Sequence, residues 1–172
     1  KAPLFYSKIL LFGEYGIIKN SKGLSIPYNF FKGGFKIGSF ENKNVKESNS
    51  NLIDFKNFLT KIDKSVVEFD FDKLEEDLKK GMFFDSSIPQ GYGVGSSGAL
   101  VAALYDRYAL NKITVLENLT KPKILILKNI FSRMESFFHG KSSGLDPLNS
   151  YLSLPILIHS KNEIETTGIP SQ

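Results

Sequence analysis

Pro89-Gln90-Gly91-Tyr92-Gly93-Val94-Gly95-Ser96-Ser97-Gly98-Ala99-Leu100-Val101-Ala102-Ala103-Leu104-Tyr105 passes from a glycine-alternating loop straight into small and apolar residues. Glycines at every second position free the backbone for positive φ and let a ligand approach with no Cβ in the way. The helix expected just after Ser97 offers unpaired N–H groups and the positive end of its dipole, which suits an anion. Ser96 and Ser97 add hydroxyl donors for phosphate, or an oxygen ligand for a magnesium ion. The stretch is not a Walker A loop, because no Gly-Lys-Ser/Thr closes it. Counted from Gly91, Ser96 stands where the third glycine of G-x-G-x-x-G would fall. A glycine-rich turn before a closely packed helix fits the same letters, so phosphate binding needs support from elsewhere in the chain.

Ahead of the loop the sequence reads mostly as β and then as helix. Residues 8–12 (KILLF) form a short apolar run ending at Gly13, residues 24–28 are extended, and Gly33-Gly34 precedes a strand at 35–40. Residues 42–51 are polar and rich in Asn, Lys and Ser, which predicts a surface connection. Leu52, Phe55, Leu59 and Ile62 predict an amphipathic helix over about 50–63. Residues 66–71 alternate like a strand, and Asp72 is the expected N-cap of a helix over 73–80 that stops at Gly81. Beyond the loop, Ile124, Leu127, Ile130, Phe131, Met134, Phe137 and Phe138 give a helical stripe ended by His139-Gly140. A polar turn, 141–144, leads to Leu145-Asp146-Pro147, and the tail 151–159 reads as β.

Composition narrows the function classes. The 172 residues are 41% hydrophobic and include 15 Phe and 7 Tyr, too much apolar material for a disordered chain and enough for one core. No apolar run approaches the ~20 residues that span a bilayer, so no membrane association is expected. The absence of cysteine excludes disulfides and thiolate chemistry and fits a cytoplasmic protein. Net charge is +4, but Arg107 and Arg133 are the only arginines among 22 basic residues, and the lysines are dispersed. Nucleic-acid readers favour Arg for bidentate contacts, so no nucleic-acid partner is expected.

Further residues acquire meaning only as a set. Glu135 borders the buried face of its helix, where a carboxylate is commonly a rim residue with its head in water. Asp146 precedes a proline in a turn, Lys8 heads the first strand, and Glu14 and Tyr15 follow that strand; none is specific alone. Phosphoryl transfer needs an anion cradle, a hard cation held by few protein oxygens, a positive charge, and a group that orients or deprotonates the attacking hydroxyl. Residues 91–97, Ser97 with Glu135, Lys8, and Asp146 can fill those roles in that order.

Residues 89–99 resemble the phosphate-loop signature of the GHMP kinases (galactokinase, homoserine kinase, mevalonate kinase, phosphomevalonate kinase). Ser7-Lys8-Ile9-Leu10-Leu11-Phe12-Gly13-Glu14-Tyr15 resembles their first motif, Gly-Lys-hydrophobic run-Gly-Glu-His. Glu135-Ser136-Phe137-Phe138-His139-Gly140-Lys141-Ser142-Ser143-Gly144-Leu145-Asp146 is similar to the mevalonate kinase stretch Glu…His-Gly-x-x-Ser-Gly-x-Asp. The three matches stand in family order.

The resemblance implies ATP and Mg2+ as cofactors and a small-molecule alcohol as substrate, most closely mevalonate. It implies Asp146 as the base or hydroxyl-orienting group, with Lys8 as its partner facing the transferred phosphoryl. It implies Pro89, Gly91, Gly93, Gly95, Ser96 and Ser97 as the triphosphate cradle and Ser97 with Glu135 as magnesium ligands. Glu14, Tyr15 and His139 are implied at the alcohol. Ser7, Tyr15 and Pro147 depart from the family's Gly, His and Asn, which leaves phosphomevalonate open as the substrate and leaves open a catalytically silent sensor on the same fold.

For the fold, the resemblance implies an α/β (α+β two-layer) domain of the ribosomal-protein-like type with a left-handed βαβ unit. Residues 1–160 are expected to form this N-terminal domain, and 161–172 to begin the connection to a second domain. Without that domain an apolar face lies open, so self-association, as in a homodimer, is expected of the isolated chain.

Overall fold

The computed structural model describes residues 3–12, 22–91, 93–114, 119–160 and 163–166. In chain order these form β1 (Phe5–Phe12), β2 (Gly23–Ile37), α1 (Lys43–Leu59), α2 (Phe71–Lys79) and β3 (Met82–Ser86). They continue with α3 (Ser96–Tyr108), α4 (Lys121–His139), α5 (Leu145–Leu152), β4 (Ile156–Ser160) and β5 (Glu163–Thr166). The sheet runs β1-β2-β4-β5, with β3 also paired to β2, and every one of these pairings is antiparallel. Because β3 and β4 both oppose β2, they point the same way, and α3, α4 and α5 form the crossover between them. This mixed sheet-and-helix architecture is the α+β class expected.

Strand β2 is longer than its sequence suggests. It runs through Gly33-Gly34 without a break, because a Cβ on Gly33 would fall 2.5 Å from the Phe84 ring of β3 and glycine alone leaves that ring room. It ends at Ile37 rather than at residue 40. Its register with β1 jumps from Tyr6↔Lys32 to Ser7↔Tyr28, so residues 29–31 bulge out beside Ser7.

Two expectations fail for one reason, a polar side chain that caps a helix start. The polar stretch 42–51 is not a connection but the first half of α1. Asn42 caps it by accepting from the Asn44 and Val45 amides. Val45, Asn49, Leu52, Phe55 and Leu59 then form the buried stripe. Asn49 belongs to that stripe because its side-chain amide donates to the carbonyls of Leu78 (3.0 Å) and Met82 (2.7 Å), ending α2 and starting β3. The helix stops at Leu59, short of residue 63. Residues 66–71 likewise make no strand: only Phe69 bridges, to Ala109. Asp70, not Asp72, caps α2, accepting from the Lys73 amide at 2.9 Å, and its own N–H donates to the Tyr108 carbonyl at 2.8 Å.

The core gathers around α3. Ala99, Val101, Ala102, Ala103, Leu104 and Tyr105 are all buried, with Leu127, Phe131 and Met134 of α4 and Leu148 and Leu152 of α5 packed around them. Small side chains on α3 let its neighbours approach closely. A Cβ on Gly98 would lie 2.8 Å from the Asp146 carbonyl carbon, so α3 and the start of α5 meet almost backbone to backbone. Tyr151 and Leu152 close α5 instead of opening a strand; β begins only at Ile156. Among the described residues no helix is long and apolar enough to cross a membrane.

Candidate active site

The loop before α3 meets its sequence expectation. Gly91, Gly93 and Gly95 have φ of +81°, +67° and +82°, the left-handed region where other residues are strained. A Cβ on Gly91 or Gly93 would meet nothing within 4 Å, so the loop borders open space. Gly95 is the N-cap of α3 and supplies no side-chain cap, which leaves the first amides of the helix to an outside acceptor. Counted from Gly93 the stretch does read G-x-G-x-x-G, and Gly98 is the glycine that admits the neighbouring helix. The close-packing role therefore falls to Gly98, while Gly91 and Gly93 border open space.

Strand β1 is stitched to this loop. The Lys8 amide donates to the Val94 carbonyl at 3.2 Å. The Lys8 side chain runs along Gly95, whose Cβ would sit 3.3 Å from Lys8 Cγ and 3.9 Å from Asp146 Cβ. Lys8 Nζ and Asp146 Oδ1 are 3.0 Å apart, with the lysine 12% and the aspartate 35% exposed. Asp146 is not in a turn, as expected, but in the first turn of α5, where the helix dipole favours a carboxylate. Gly144 begins that helix at φ +73°; a Cβ there would strike the Lys128 carbonyl of α4 at 2.2 Å.

A second pair joins α3 to α4. Ser97 Oγ donates to Glu135 Oε1 at 3.1 Å and lies 3.1 Å from His139 Nε2. With the hydroxyl proton on Glu135, the tautomer of His139 that fits is the one donating from Nε2. Glu135 is not a solvated rim residue: it is only 3% exposed. Burial pushes its carboxyl above the usual range and the Asp146 charge adds to this, against hydrogen bonds from Ser142 and Ser97. The Ser142 hydroxyl takes the other oxygen, Oε2. A buried carboxylate oxygen beside a hydroxyl is a hard donor pair. Such a pair suits a magnesium ion, which takes its remaining ligands from phosphate and water.

The fold thus brings Lys8 to Asp146, with Gly95 against both, and Ser97 to Glu135 and His139. Glu14 and Tyr15 lie outside the described residues. Ser142 and Ser132 were not singled out by sequence reasoning: Ser142 lies in a serine-rich turn too common to notice, and Ser132 lies on α4 with no distinguishing pattern around it. A separate cavity of about 300 Å³, lined in part by Phe5, Phe35, Ala103 and Arg107, opens toward the far end of α3 and includes none of these residues.

A family model described as the GHMP kinases N terminal domain matches residues 59–153, more than half of the 172. The chain belongs to the GHMP kinases. The matched span holds the loop, Glu135 and Asp146; Lys8 precedes it and is joined to the site by its ion pair with Asp146. The mevalonate kinase of Methanococcus jannaschii superposes with a TM-score of 0.54 at 20% identity, covering 98% of this chain and 56% of that one. A second mevalonate kinase structure gives 0.56 at 20% identity with the same two coverages. At that identity the likeness concerns the fold. The chain spans a little over half the length of these GHMP kinases. No curated protein matches it by sequence.

Proposed function

We propose that this chain is the ATP- and substrate-binding part of a small-molecule kinase that moves the γ-phosphoryl group of ATP to an alcohol, with mevalonate giving 5-phosphomevalonate. The observation that carries the reading is the Lys8–Asp146 pair, 3.0 Å apart and packed against Gly95 of the phosphate loop. A pure binder has no need of an ion pair at that point. In the reaction the substrate oxygen bonds to the γ-phosphorus as the bond to the ADP oxygen breaks, and the hydroxyl proton passes to the Asp146 carboxylate. Asp146 orients the hydroxyl and accepts its proton, and Lys8 offsets the charge developing on the phosphoryl oxygens. Pro89, Gly91, Gly93, Gly95, Ser96 and Ser97 form the phosphate cradle, with the backbone amides at the α3 N-terminus as its donors. Ser97 and Glu135 would hold magnesium, which supplies charge neutralisation of the phosphates when bound. Glu14, Tyr15 and His139 are assigned to the alcohol; the His139 bond to Ser97 links that end to the loop. On this reading residues 1–160 are the N-terminal domain, its sheet continued by β5 (Glu163–Thr166), and the protein works in the cytoplasm.

The test is a coupled ADP-release assay of the full-length protein with mevalonate, phosphomevalonate, galactose and homoserine. Turnover with mevalonate supports the full reading, and turnover with another of the four corrects the substrate. Nucleotide binding without any turnover would favour a silent sensor.

A further inference from the structure

In the motif Glu…His-Gly-x-x-Ser-Gly-x-Asp, Ser142 occupies an open position; the serine of the motif is Ser143. The two serines do different things. Ser143 accepts from the Leu145 amide at 3.3 Å, at the start of α5. Ser142 turns the other way, into Glu135, and its hydroxyl donates to Oε2. It is itself held at two further points. Its oxygen accepts the Gly144 amide at 3.0 Å, and its carbonyl accepts the Ser132 hydroxyl at 2.6 Å. Ser142 is therefore anchored both to α4 and to the residue that begins α5, so its position follows the helices and not the turn.

The terminal torsion of a glutamate is broad and roughly two-fold, so a carboxylate with one partner turns freely about it. Glu135 has a partner on each oxygen. With Oε2 fixed by Ser142, Oε1 faces Ser97 at 3.1 Å, on the loop side. We propose that Ser142 is a positioning residue for magnesium–nucleotide binding, fixing the Glu135 carboxylate so that Oε1 and Ser97 Oγ present to one cation together. The proposal rests on the assignment of Ser97 and Glu135 under the proposed function. Carboxylates that ligate metals are commonly oriented in this way by a hydrogen-bond donor, and loss of such a partner costs about 10–100-fold in metal affinity.

The experiment is calorimetric titration of the full-length protein with ADP, in magnesium and in EDTA. Ser142→Ala should weaken ADP binding in magnesium by about 10–100-fold and leave the affinity in EDTA unchanged, which also shows that the site is folded. Ser142→Thr keeps the hydroxyl and should retain most of the magnesium effect. In a Glu135→Gln background, Ser142→Ala should add nothing further, because the two act through one carboxylate. An equal loss with and without magnesium, a failure of threonine to rescue, or full additivity with Glu135→Gln would overturn the proposal. A wild-type protein whose ADP affinity ignores magnesium removes the assignment of Ser97 and Glu135. Normal wild-type dependence with an unaffected Ser142→Ala removes the role of Ser142 alone.

Discussion

Gly98→Ala tests whether the contact between α3 and α5 sets the catalytic geometry. The added Cβ would sit 2.8 Å from the Asp146 carbonyl carbon, 2.9 Å from Pro147 N and 3.0 Å from Asp146 Cβ. Ordinary contact begins at 3.4 Å, so the first turn of α5 must withdraw by about 0.6 Å. All three atoms are backbone or Cβ, so no rotamer change relieves the clash, and Asp146 itself has to move. Its carboxylate is held 3.0 Å from Lys8, and a shift of that size stretches or redirects the pair. A 1 Å misplacement of a reacting group can cost ~10²-fold, so kcat should fall by about 10–100-fold. Global stability should fall by about 0–2 kcal/mol, too little to unfold the domain: overpacking costs ~1–3 kcal/mol, and replacing a helical glycine by alanine returns up to ~1 kcal/mol. The assay is kcat and KM for ATP on the full-length protein, with urea unfolding alongside. The reasoning would be refuted by near-normal kcat in a variant that folds normally.

Asp146→Asn should lower turnover by ~10²–10⁴-fold with ADP affinity in magnesium little changed, whereas Ser97→Ala and Glu135→Gln should weaken that affinity as well as the rate. Calorimetry beside the kinetic assay separates the two classes. Asp77 accepts from Arg107 Nη2 and Tyr108 Oη, both at 2.7 Å. Burial pushes its carboxyl up, but those bonds and the Arg107 charge hold it below the ordinary value. Its contribution to stability is therefore complete above the unfolded value of ~3.9 and lost as pH falls through the lower folded value. Asp77→Asn should cost ~1–3 kcal/mol at pH 7 and flatten the acid limb of the unfolding curve, measured by urea titration from pH 2 to 7. Phe30, Leu11 and Phe12 are more than half exposed, so the 172-residue chain should associate with rising concentration in analytical ultracentrifugation, and Phe30→Ser should reduce it.

What the sequence determined by itself is local. The alternation of Gly91, Gly93 and Gly95 specifies positive φ, because the missing Cβ is a property of each residue and not of its surroundings. The α4 stripe from Ile124 to Met134 follows from periodicity, and the apolar run 8–12 does become strand, as the later half of β1, although Leu11 and Phe12 are more than half exposed. The motif residues Lys8, Ser97, Glu135 and Asp146 could be named in advance as a set. Tertiary structure decided the rest. Asn49 belongs to a buried stripe only because the ends of α2 and β3 present two carbonyls to it, so the polar stretch 42–51 becomes helix. Residues 66–71 alternate like a strand, yet their backbone partners are the end of α3, and Asp70 turns them into a helix start. Asp146 sits on a helix because Gly144 can tuck under Lys128 and Gly98 leaves room for its backbone. Convergence itself is the clearest case. Lys8 and Asp146 lie far apart along the chain and meet at 3.0 Å through contacts among β1, the loop, α3 and α5. No local pattern encodes a distance between segments, which packing alone sets.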